Sequence, residues 1–153
     1  ITPLENNHIK FKKFGGIGAQ MVSNKEMISL LQSSKLCPIL HAPSWQAEKG
    51  IQDRFYSVFI SGRFGICDNL GAINLFGSEI SEICTENSEE YYNKSIYYLN
   101  NVEEQLPFIQ HIQKLIKSKY NFYHQWNKVL LQVKIKPNNL EQNITQESKF
   151  FIM

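Results

Sequence analysis

A chain of 153 residues, 42% apolar and 20% charged, has enough length for a buried core and lacks the composition of a disordered or membrane-embedded polymer. No apolar run reaches the roughly 18 residues that a membrane-spanning helix requires. A formal charge of +2 is too small to point to nucleic acid, which is not an expected partner.

His8 to Phe14 alternates Ile9 and Phe11 with lysines, which predicts a half-exposed strand. Gly15, Gly16 and Gly18 then break the pattern. Ser23 followed three residues later by Glu26 forms a capping box and predicts a helix from Asn24 to about Ser33. "LCPILH", residues 36 to 41, is a short apolar run containing Pro38. Proline has no amide donor, so this run is expected as an edge strand or an extended loop. Ser44 caps one or two turns through Lys49, ended by Gly50. Arg54 to Ser61 is rich in aromatic and β-branched residues and reads as a strand; Ser61-Gly62 reads as a turn and "RFGIC" as the hairpin partner. Asp68 to Gly71 makes a second turn, leading to "AINLF". The expected fold class is therefore α+β: an antiparallel meander over about 54–76, with helices packed on one face.

Beyond the meander the sequence turns helical. Ser78 to Cys84 reads as a short helix, and Ser88 caps a longer one through about Gln105 with Glu89 and Glu90 in its first turn. Pro107 suits the first turn of a third helix with the stripe Phe108, Ile109, Ile112, Leu115 and Ile116. Val129 to Ile135 is expected as a strand or a helix end, stopped by Pro137; Asn138 to Ser148 as a loop; "KFFIM" as a last edge strand. With no internal repeat and no linker, 1–153 is expected as one globular domain. It begins at Ile1 rather than methionine, so it is expected to be a piece of a longer protein.

Cys37, Cys67 and Cys84 are odd in number and lack CxxC spacing, which predicts free thiols in a reducing intracellular compartment. That compartment is the cytoplasm or, for a bacterial effector, the interior of a host cell. The abundance of Lys, Asn, Ile, Phe and Tyr reflects an AT-rich genome more than a function.

The glycine turn lies between a predicted strand and a predicted helix, with Lys12 and Lys13 just upstream. Such a turn can offer backbone amides to an anion, although it is neither a Walker sequence nor a dinucleotide fingerprint. Arg54, Tyr56 and Arg63 would supply an aromatic wall with a guanidinium clamp for phosphate. On the helix from Ser88, Tyr91, Ser95 and Tyr98 share one face and Tyr92, Ile96 and Leu99 the next; one face is core and the other a stacking wall or further packing. The resulting expectation is a non-catalytic binding module for a nucleotide or similar phosphorylated aromatic ligand. Its ligand-binding residues would be Lys12, Lys13, Gly15, Gly16, Gly18, Arg54, Tyr56, Arg63, Tyr91 and Tyr98. No cofactor is expected. No metal is expected either, because His8, His41, His111 and His124 stand far apart without a recognised ligand spacing. One alternative is a Cys/His-dependent hydrolase or transferase using Cys37 or Cys67. On a strand, however, Cys37 and His41 would stand about 13 Å apart, where a nucleophile and its base need about 3 Å. A third reading is a protein-interaction domain.

Overall fold

Ser23 does cap the helix that follows it. Its side chain accepts from the Glu26 amide at 3.3 Å, and the Ser23 amide donates to the Glu26 carboxylate at 2.8 Å. Helix α1 then runs over Asn24–Ser33, as the capping box requires. The computed structural model describes Ile9, residues 22–121, and Gln125, Lys128, Val129, Leu131 and Gln132. The glycine turn with Lys12 and Lys13, the rest of the strand predicted at His8–Phe14, the loop predicted at Asn138–Ser148 and the final "KFFIM" lie outside the described residues; of the segment predicted at Val129–Ile135, Val129, Leu131 and Gln132 are described and are helical. By contact density the chain divides into two units, Ile1–Leu115 and Ile116–Met153. The described part of the second opens with a π-helical turn, Ile116–Tyr120. Among the described residues no helix is long and apolar enough to cross a membrane.

In the first unit, α1 is followed by β1 (Cys37–Ile39), α2 (Pro43–Ala47), α3 (Asp53–Ile60), β2 (Gly65–Cys67) and α4 (Gly71–Phe76). A 3₁₀ turn (Ser78–Ile83) leads to α5 (Ser88–Asn100); a second (Val102–Gln105) leads to α6 (Leu106–Leu115). The unit is mostly helical. β1 and β2 pair in parallel, with Cys37 beside Gly65 and Ile39 beside Cys67, and Cys84 adds a parallel bridge to Cys67. Pro38 sits on β1, which pairs only with β2 among the described residues, as a proline-bearing strand should.

The antiparallel meander over 54–76 is not formed. "DRFYSVFI" is α3, and "GAINLF" is α4; only "GIC" between them is a strand. Phe55, Val58 and Phe59 recur at i, i+3 and i+4, and these are the buried positions of α3, while Arg54 and Ile60 are exposed. Helical burial thus outweighs the β preference of single aromatic and branched residues. Ser61-Gly62 is a helix stop rather than a hairpin turn. Gly62 takes a φ of +69°, its amide donates to the Phe59 carbonyl, and the Arg63 amide donates to the Val58 carbonyl. This pair of bonds is the Schellman ending of a helix.

The core is built where these elements meet. Phe55 stacks on Phe76 at 4.9 Å between centroids and packs on Phe59 at 4.8 Å. Phe64, just before β2, packs on Tyr98 of α5 at 4.7 Å. The two short strands are apolar and largely buried, as parallel strands under helices are.

Candidate functional site at the carboxyl edge of the parallel strands

Both apolar strand runs end in a titratable residue: His41 lies just beyond β1 and Asp68 just beyond β2. Parallel pairing brings the two ends together. His41 Nδ1 lies 2.7 Å from Asp68 Oδ1, and the His41 amide donates to both carboxylate oxygens at 2.9 and 3.1 Å. The His41 side chain is fully buried; that of Asp68 keeps 20% of its surface. Gln46 of α2 donates to Asp68 Oδ2 at 2.9 Å. Burial opposes charge on the imidazole, but Asp68 and then Cys67 outweigh it and raise His41 to about 9. The Nδ1–H bond to Asp68 serves both charge states. The 3.4 Å approach of the Gln52 amide to Nε2 is a hydrogen bond only when that nitrogen is bare; in the protonated form two donors face each other and the bond is lost.

Asn69, next to Asp68, locks the neighbouring loop. It is 3% exposed and uses its whole amide. Its Oδ1 accepts from the Gly71 amide at 2.8 Å, and its Nδ2 donates to the carbonyls of Trp45 and Gly50 at 3.2 and 2.7 Å. Lys49 adopts a φ of +53° in this loop. Gly50 has no Cβ because one would come within 2.7 Å of the Trp45 ring, so the indole lies against the Gly50 backbone. The ring is still 45% exposed. A half-exposed tryptophan, backed on one side by Gly50, therefore stands on α2 next in sequence to Gln46, whose side chain bonds Asp68.

His41, Cys67 and Asp68 place nitrogen, sulfur and oxygen donor atoms within 4.8 Å of one another. Each already has a partner: His41 and Asp68 pair together, and the Cys67 thiol donates to the Asn69 carbonyl at 3.4 Å. All three cysteines are buried free thiols. Contact with Cys84 and burial push the Cys67 thiol far above its ordinary value; burial raises Cys37, against the opposing pull of Ser34 and Arg63.

Of the ligand residues expected from sequence, Arg54, Tyr56, Arg63, Tyr91 and Tyr98 are among the described residues. Lys12, Lys13, Gly15, Gly16 and Gly18 lie outside the described residues. Arg54 is exposed on α3, while Tyr56 is half-buried with its ring edge on Phe55 and near Phe76. Tyr91 and Tyr98 belong to the core. Tyr91 donates to the Ile66 carbonyl at 3.3 Å, and burial pushes Tyr98 up to about 12. Arg63 lies before β2, at the amino edge of the sheet. Trp45, Gln46 and Asp68 were missed, and His41 was weighed only beside Cys37 and as a metal ligand, because the pairing of His41 with Asp68 depends on the parallel strands. The available signal was two short apolar runs, each ending in a titratable residue and separated by a helix-length segment.

No family model, no curated protein and no solved structure matches this chain.

Proposed function

We propose that this chain is a binding module for a nucleotide or similar phosphorylated aromatic ligand, held at the carboxyl edge of β1 and β2. The observation that carries the reading is Trp45: a half-exposed indole on α2, the helix that follows β1, next in sequence to Gln46, which bonds the Asp68 carboxylate just beyond β2. Open parallel α/β units place their ligands outside the carboxyl ends of the strands. At this edge the free face of Trp45 offers a stacking surface for a base. The exposed part of the Asp68 carboxylate and the Gln46 side-chain carbonyl, whose amide nitrogen is held by Asp68, offer acceptors to sugar hydroxyls. The amino end of α3 lies at the same edge and favours negative charge. The thiols do not favour the hydrolase alternative, since a nucleophilic cysteine needs access and a lowered pKa.

The test uses fluorescence. The chain has two tryptophans, so Trp126→Phe leaves Trp45 as the reporter. Titration with ADP and UDP is expected to quench that variant saturably. Stacking is worth about 1–3 kcal/mol per base, so Trp45→Ala is expected to weaken binding roughly ten- to hundredfold by calorimetry. The reading fails if neither nucleotide changes the signal at millimolar concentration.

A further inference from the structure

The opposite edge of the sheet carries a groove that the nucleotide reading does not use. It has a volume of about 300 Å³ and is formed where the residues before β1 and before β2 meet the 3₁₀ turn and α6. That volume is at the lower end of the range for small-molecule sites. Two cations, Lys35 and Arg63, line it, and none of its lining residues is acidic. Its other wall is apolar, with Val102 45% and Leu106 55% exposed and Ile109 behind them. Ser34 also lines the groove, but its hydroxyl donates to the Leu30 carbonyl at 2.8 Å.

Arg63 is the informative residue. The Schellman ending of α3 fixes its backbone, through the 3.1 Å bond from its amide to the Val58 carbonyl. Its Nε is buried and has no hydrogen-bond partner. Buried donors are nearly always paired, and a charged one is costly to leave alone. Nε–H is also one prong of the fork with which guanidinium takes an oxyanion in two parallel bonds. A cation on a fixed stretch of backbone with an unpaired Nε, a second cation and an apolar wall together describe a particular ligand. We infer that this groove binds a small amphiphilic anion, its carboxylate or phosphate head on Arg63 and Lys35 and its apolar body along Val102, Leu106 and Ile109.

Hexyl phosphate is the probe, with inorganic phosphate and hexanol as its two halves, titrated calorimetrically into the full chain. Hexyl phosphate is expected to bind at least tenfold more tightly than either half. Arg63→Met is expected to weaken it tenfold or more, and Arg63→Lys to restore part of the loss. Circular dichroism checks that the variants are folded; if Arg63→Met is not, the exposed Lys35→Met carries the same expectation of weaker binding. Unchanged affinity in the folded variant overturns the inference, and so does absence of hexyl phosphate binding to the wild type at millimolar concentration. ADP binding is expected to be unaffected by either substitution, which separates this site from the carboxyl edge.

Discussion

Asp68→Asn is expected to cost about 3 kcal/mol at pH 6 and to flatten the dependence of stability on pH between about 6.5 and 9. Asparagine keeps the shape but removes the charge that holds a buried imidazolium. In the folded protein His41 is raised from the ordinary 6.5 to about 9, so between those values the folded state binds a proton that the unfolded chain has released. Stability from this pair is therefore fully present below pH 6.5 and is lost as pH rises through 9. Without Asp68, burial acts on the imidazole against Cys67 only, and the proton is held less tightly. The variant also weakens the bonds from the His41 amide and Gln46, which now meet a neutral acceptor. Urea unfolding of wild type and variant at pH 6 and pH 9 measures this. The expected gap is wide at pH 6 and narrow at pH 9; a gap of equal size at both would show that the pairing with His41 is not its source. His41→Gln, alone and with Asp68→Asn, completes a cycle in which the two losses should be far from additive.

Gly71→Ala is expected to destabilise by about 3 kcal/mol, the upper part of the overpacking range, or roughly 10 °C in Tm. A Cβ on Gly71 would overlap the Lys49 carbonyl oxygen and lie 2.7 Å from its carbon. Those are backbone atoms of a loop clamped by Asn69, so they have little freedom to move aside. Gly50→Ala is the informative contrast, because its Cβ would meet the Trp45 ring, a side chain. It is expected to cost less in Tm while displacing the indole and weakening ADP binding. Calorimetric melting of both variants checks the ranking. A Gly71→Ala protein that melts within 2 °C of wild type, about what ~0.5 kcal/mol produces, would mean that the loop does not pack on α4 as described.

Residues whose signals are local were legible in the sequence. Ser23 and Glu26 specified a helix start without help from the rest of the chain, and Pro107 fell in the first turn of α6. Over 54–76 the same stretch carried two signals. Aromatic and β-branched content suggested strands, while the spacing of Phe55, Val58 and Phe59 was helical, and burial decided for the helix. Gly62 needed its positive φ in either reading, so it could not separate a hairpin from a helix stop. Tyr91 and Tyr98 share a helix face as their spacing implied, but that face is the buried one. The pairing of His41 with Asp68 spans 27 residues and depends on parallel register, which no local pattern encodes. Arg63 was singled out for its guanidinium, and the structure places it in a groove at the opposite edge of the strands from Asp68.

Amide chemical-shift mapping reports where a nucleotide binds as well as whether it does. On titration of ADP into the ¹⁵N-labelled chain, saturable shifts are expected to concentrate at 41–46, 49–52 and 68–71, with the Trp45 indole N–H among the largest. Residues 34–35, 62–64 and 102–109 should stay in place. Shifts confined to that second group, or no saturable shift anywhere at millimolar ADP, would contradict binding at the carboxyl edge.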